Sequence, residues 1–413
     1  MKKRMLALLL AALLLTGCAG RAAISATELS AAYKPAANVD STPISDDTRA
    51  AAADFGVRLL AANAGEENAL VSPVSVLLAL GMAELGAGGQ TLTQMEQATG
   101  LSRAALADEF AGWAAALPGT AAARTHIANS VWLRDTGSLT VRPEFLQENA
   151  DRFGAQVYRA AFDGSTLRDV NRWVKQHTDG QIEKMLSEIP ENTQLILLNA
   201  LSFDAEWTDI YDTDQVRGGT FTTADGSERD VKFLRSSEYS YLSGAGAAGV
   251  MKSYAGGAYA FAALLPDEGK TPADVLAALD GETWLSMLEN ASDEEVITAI
   301  PKFEVDFSAS LKKALADMGM TDAFDPGLAD FSAMGSSTDG PLFIGAVLHK
   351  TAITVDERGT KAGAATAVAM DGAGAGSHEP PKEVILDRPF VYAVVDTATG
   401  IPLFFGVLDD PAA

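Results

Sequence analysis

The sequence predicts an α+β fold built on large antiparallel or mixed β-sheets. Three observations carry this. Helical periodicity dominates the first half of the 413 residues and strand patterning the second, without regular β-α alternation. A nearly continuous apolar run of β-type residues, Leu195 to Trp207, reads as a strand buried on both faces. A long strand, Phe343 to Val355, feeds a stretch that is almost devoid of large side chains.

Length and composition bound the rest. A chain of 413 residues buries a large core, and 47% apolar with 21% charged residues is globular composition. The formal net charge is −24, and it becomes more negative once Lys2, Lys3 and Arg4 leave with an N-terminal signal. Such a chain does not track phosphate backbones, so nucleic acid is excluded as a partner. There is a single cysteine, Cys18, so no disulfide, thiol nucleophile or thiolate metal site is expected in the mature domain. The apolar run Met5 to Leu15 is too short to span a bilayer and reads as a signal-peptide core. Leu15-Thr16-Gly17-Cys18 resembles the lipobox of bacterial lipoproteins, which implies cleavage after residue 17 and a lipid on Cys18. Residues 18–46 then read as a flexible Ala/Ser/Pro-rich tether carrying the acylated cysteine, ahead of one domain over 47–411. The expected place is the cell envelope or its extracellular face, lipid-anchored to a bacterial membrane.

Along the chain, Thr48 to Ala62 is helical. Ser72 before Pro73 starts a helix apolar on most sides, which Gly86-Ala87-Gly88-Gly89 stops. Thr91 and Gln94 form a capping-box pattern for the next helix. Ala104 to Leu117, Pro143 to Phe153 and Asn171 to His177 read as helices, and His126 to Leu133 as a strand; His177 reads as a face or cap residue. Strands follow over Gly218 to Tyr241, with a turn at Asp225-Gly226, and over Gly249 to Pro266. A helix is expected over Pro272 to Leu288, then one strand from Val296 to Phe307 entering a helix at Ala309 to Met318. Phe390 to Val395 and Pro402 to Leu408 form a closing hairpin.

No motif for catalysis stands out. The four histidines are far apart in sequence, and there is no HExxH, GxSxG or phosphate loop. An enzyme reading has no positive support, and no metal or cofactor is expected. The odd residues are polar ones in apolar runs: Ser72, Asn199 and His349. Each needs a hydrogen-bond partner. They are either three separate satisfied groups or one shared network at the centre of the main sheet.

Between Gly359 and Ser377, fifteen of nineteen residues are Gly, Ala, Ser or Thr. That stretch buries too little to hold a shape alone, and it reads either as a linker or as a strand in waiting. At strand period one face carries Thr360, Ala362, Ala364, Thr366, Val368 and Met370, all uncharged, while Lys361 and Asp371 lie on the other.

The flanks decide between these readings. VSPVSVLLALGM, ANSVWL, LLNALSFDAEW, IPKFEVD, VLHKTAITVDERGTKA and LDRPFVYAVVD stand in the order and at the spacing of a serpin, and the resemblance runs from about Thr48 to Leu408. It implies a serpin fold of three β-sheets, about eight or nine helices and an exposed reactive-centre loop over about 357–383. It implies a non-enzymatic, monomeric suicide inhibitor whose partner is a target serine protease. The protease cuts the loop and forms an acyl-enzyme, and the cut loop then enters the main sheet and distorts the attached protease. The hinge residues would be Glu357, Gly359, Thr360, Ala362, Ala364 and Thr366. Ser72, Asn199 and His349 match the polar cluster where the sheet opens, and Trp207 matches the aromatic residue near the loop's entry. Small inward residues and the lack of Pro from Gly359 to Gly376 suit insertion independently of the resemblance.

By the spacing usual in serpins, counting from hinge Gly359 implies a cut at Ala373-Gly374, which suits an elastase- or subtilisin-like protease. Counting back from Arg388-Pro389-Phe390 gives His378-Glu379 instead, because the loop is longer than usual for the family, and Met370-Asp371 is a third alternative. Two rival readings remain at this level. One is a serpin-fold surface protein that binds without inhibiting; the other is a lipoprotein solute-binding protein, which would need two similar α/β halves.

Overall fold

A computed structural model describes residues 23–35, 42–65, 67–119, 122–178, 180, 182–190, 193–360 and 380–412. Cys18, Ala362, Ala364, Thr366 and all six residues of the three candidate cut sites (Met370, Asp371, Ala373, Gly374, His378, Glu379) lie outside the described residues.

The described chain forms three main sheets and one short ladder. The largest has seven strands, in the order Thr27–Glu28, Gln156–Ala160, Ala123–Arg134, Leu195–Glu206, Gly359–Thr360, Ile344–Val355, Phe303–Ser310. A six-stranded sheet is built around Tyr259–Pro266, Phe390–Asp396 and Pro402–Leu408, whose residues are buried throughout. A four-stranded sheet runs Lys382–Ile385, Val296–Pro301, Glu228–Glu238, Val216–Thr222. Nine α-helices accompany them among the described residues.

Helix Pro73–Glu84 is buried at every position, as its all-round apolar sequence requires. Ser72 caps it by accepting the Ser75 N–H at 3.3 Å, and Pro73 occupies the first turn, where no donor is needed. Helices Asp46–Ala61, Pro143–Phe153 and Gly164–His177 match their expected segments to within a few residues at one end, except that the last begins seven residues early. His177 bonds the Trp173 carbonyl through Nδ1 at 2.7 Å and stacks on the Trp173 ring.

Four expectations need correction. The Thr91/Gln94 capping box does not form: Gly88 is the cap residue of Gly89–Thr99 and has no side chain to offer. Thr91 instead accepts the Asp330 N–H, and Gln94 accepts those of Thr321 and Asp322, so the motif holds the 321–330 segment in place. Pro272 to Leu288 is two helices, Pro272–Ala278 and Gly281–Glu289, because extended Leu279 is followed by Asp280, which caps the second through the Thr283 N–H. Val296 to Phe307 is two strands in different sheets. Pro301 cannot donate to a ladder, and the chain changes sheets at Lys302.

The tether expected over 18–46 is corrected at Ser25–Ser30. Thr27–Glu28 is the edge strand of the large sheet, Ile24 and Ala26 pack on a buried cluster, and buried Asp169 accepts Ser25 N–H, Ser25 O–H and Ala26 N–H. A free tether would leave those groups to water, whereas this edge pairs them within the fold.

Candidate functional site: the sheet opening and the two loop anchors

The two central strands of the large sheet, Leu195–Glu206 and Ile344–Val355, run parallel but are ladder-paired only at Leu195–Leu197 with Ile344–Val347. At their other end Gly359–Thr360 lies between them, antiparallel to both: Gly359 opposite Glu206, Thr360 opposite Ala205 and Val355. Between these two points lies a slot. A cavity of about 100 Å³, lined by Phe203, Ile353, Thr354, Phe404 and Thr360, abuts the seated residues.

Residue type explains why the chain enters here. A Cβ on Gly359 would sit 2.0 Å from the Ala205 carbonyl oxygen, so only glycine fits so close to the neighbouring backbone. Thr360 is 2% exposed, and its hydroxyl is hydrogen-bonded to that of Tyr254.

The turn leading to this point is clamped by polar contacts. Asp356 accepts the Arg358 and Gly359 N–H groups, closing the turn. Trp207 donates its backbone N–H to Arg358 O at 2.8 Å and its indole N–H to Asp356 O at 2.9 Å; Tyr211 N–H donates to Glu357 O at 3.0 Å. Glu357 pairs with Lys302, whose hydrogen bond holds the carboxyl below its ordinary range, and Arg358 pairs with Glu206 at 2.8 Å. Trp207 is fully buried and stacks on Tyr254, centroids 4.5 Å apart.

The sheet-opening residues fall into two pairs. Ser72 N–H donates to His349 Nε2 at 3.0 Å, which puts the imidazole proton on Nδ1. Burial pushes His349 down to about 4, so the ring is neutral at physiological pH. Asn199 donates to Asn129 Oδ1 at 2.5 Å, and Asn129 donates in turn to Phe153 O. The His349 strand and the Asn199 strand face each other across the slot, with one pair fastened on each.

At the C-terminal anchor, Lys382–Ile385 runs parallel to Val296–Ala299. Val384, Leu386 and Phe390 are fully buried, and Arg388 donates to Pro266 O at 3.0 Å.

Sequence reasoning missed Lys302, Glu206, Asn129, Tyr254 and Lys252 as members of this site. Lys252 had a readable signal. In Val250-Met251-Lys252-Ser253-Tyr254 strand period puts the lysine on the same face as Val250 and Tyr254, where an ammonium is anomalous. Lys302 carried none, since its role depends on the change of sheets at Pro301.

The serpin (serine protease inhibitor) family model matches residues 50–411. A thermophilic serpin, tengpin, superposes in its native state with a TM-score of 0.88 at 37% identity, covering 93% of this chain and 99% of that one. In its latent state the TM-score is 0.79 over 90% of this chain. An uncharacterized serpin-like protein of Thermococcus kodakarensis is 30% identical over 83% of this chain and 81% of its own length. A Bos taurus protein named leukocyte elastase inhibitor is 28% identical over 83% of this chain and 93% of its own. These matches give one conclusion: the chain belongs to the serpin family.

Proposed function

We propose that the chain inhibits serine proteases by suicide trapping, with Ala373-Gly374 as the bond offered. The observation that carries this reading is the slot: two central strands unpaired above Leu197 and Val347, with small, buried Thr360 already seated at its mouth. A strand entering there gains ladder partners on both sides, and this supplies the free energy that drags an acylated protease along. The protein itself contributes no catalytic residue. The Bos taurus relative named an elastase inhibitor supports a protease with a small pocket, in keeping with Ala373. We further read the domain as a monomer, lipid-anchored through Cys18 on a bacterial cell envelope, where it meets proteases from outside.

The test is incubation with pancreatic elastase and, separately, subtilisin. An SDS-stable adduct with release of a C-terminal fragment starting at Gly374 is expected. Clean cleavage without adduct leaves a serpin-fold binding protein instead. A fragment starting at Asp371 or Glu379 keeps inhibition and moves the bond. Cys18→Ser is expected to shift the protein from the membrane to the soluble fraction, and retention at the membrane contradicts the anchor.

A further inference from the structure

We propose that Lys252 is a positioning residue that ties the two anchors of the loop to each other through Glu238 and Ser236. The consequence for trapping rests on the inhibitory reading, but the tie is measurable without any protease.

Lys252 is 2% exposed, and its ammonium sits 2.7 Å from Glu238 Oε1, 4.7 Å from the centre of the Tyr211 ring and 5.7 Å from that of Trp207. A buried ion pair adds little net stability over an apolar side chain of the same size, so its effect is geometric. The two rings that flank the ammonium belong to the residues that hold the hinge. Trp207 and Tyr211 between them donate to the carbonyls of Asp356, Glu357 and Arg358. The cation fixes both rings at once.

In the other direction, Glu238 Oε1 also accepts the Ser236 hydroxyl proton at 2.6 Å. A serine hydroxyl has one proton and two lone pairs. With the proton given to Glu238, the Tyr211 hydroxyl at 3.1 Å donates to Ser236 Oγ, while the single Thr298 hydroxyl proton lies between Ser236 Oγ at 3.0 Å and the Ser236 carbonyl oxygen at 3.2 Å, so Thr298 is joined to residue 236 through both oxygens. Thr298 lies opposite Val384 in the ladder that holds the C-terminal anchor. The line therefore runs from the hinge carbonyls through Trp207 and Tyr211 to Lys252, Glu238, Ser236 and Thr298, and ends beside Val384. Further entry of the hinge moves Trp207 and Tyr211; loss of the Lys382–Ile385 strand frees Thr298. Each event loosens the other anchor.

The test is amide hydrogen exchange on the full chain, comparing wild type with Lys252→Met, Lys252→Arg, Thr298→Val and the Met/Val double variant. Lys252→Met is expected to raise exchange about tenfold at the Trp207 and Tyr211 amides and at those of Lys382 and Leu386, with the Phe390–Asp396 strand unchanged. Lys252→Arg restores both, and Thr298→Val alone loosens the hinge amides. The double variant does no more than the larger single change, because both cut one line. Exchange that rises in all strands alike, no rescue by arginine, or additive effects overturn the proposal. If Lys252→Met does not fold, Thr298→Val decides: unchanged exchange at Trp207 and Tyr211 contradicts the tie. Should the exchange pattern hold while no protease is trapped, the inhibitory reading fails and the tie stands.

Discussion

The two segments on either side of residues 361–379 are fastened by different physics. The N-terminal turn, Asp356 to Arg358, is held by backbone hydrogen bonds to Trp207 and Tyr211 and by partly exposed ion pairs from Lys302 and Glu206. The C-terminal anchor, Lys382 to Phe390, is held by Val384, Leu386 and Phe390, each fully buried. Hydrogen bonds and exposed ion pairs exchange for others at little net cost, whereas leaving a packed pocket forfeits buried area outright. One end is therefore held by exchangeable polar contacts and the other by buried apolar area.

The largest effect belongs to the fixed end. Phe390→Ala empties a site beside Phe303 and Tyr392, and is expected to cost about 3–5 kcal/mol of global stability, read as a lower thermal midpoint. A loss under about 1 kcal/mol would mean that this anchor is not packed as described.

The next effect lies at the slot. His349 is neutral when folded and held at about 4, whereas an unfolded histidine takes a proton near 6.5. The unfolded chain thus binds more protons as pH falls, so stability is unaffected above about 7, declines below 6.5 and levels off near 4. The decline is on the order of 3 kcal/mol relative to His349→Gln, measured by urea unfolding across that range. Equal pH profiles for the two proteins would contradict a buried neutral imidazole.

The smallest effect belongs to the polar end. Lys302→Ala removes the partner of Glu357, but both side chains are partly exposed, at 33% and 41%. Global stability is expected to change by less than about 1 kcal/mol, while hinge amides exchange faster. A global loss as large as that of Phe390→Ala would erase the contrast between the anchors.

Much of this contrast was legible in the chain. The small-residue face of Thr360 and its successors and the cap at Ser72 before Pro73 needed only local pattern, and the two blocks flanking that stretch were legible through their resemblance to a serpin. What escaped sequence reading depends on which elements meet in space. Asn199 finds Asn129 on the adjacent strand, 70 positions away, and Ser72 is joined to His349 through its backbone N–H rather than its hydroxyl. The hydroxyl serves the helix cap, which is local, so the sequence pointed at the right residue for a different reason. Likewise Thr91 and Gln94 carry a helix-start pattern but serve a distant segment, because glycine at the cap position leaves the helix start to its own backbone.

That the hinge moves into the slot is tested most directly at Thr360. Its side chain is buried between the central strands against Tyr254, so an arginine there must be forced into a closed core or keep the hinge out. The measurement compares wild type and Thr360→Arg after elastase cuts the loop, following the adduct on SDS gels and the thermal midpoint of the cleaved protein. Wild type is expected to form the adduct and to melt at a markedly higher temperature once cleaved. Thr360→Arg is expected to be cut as a plain substrate, with no adduct and no rise. An adduct and a full thermal rise in Thr360→Arg would contradict insertion through this slot.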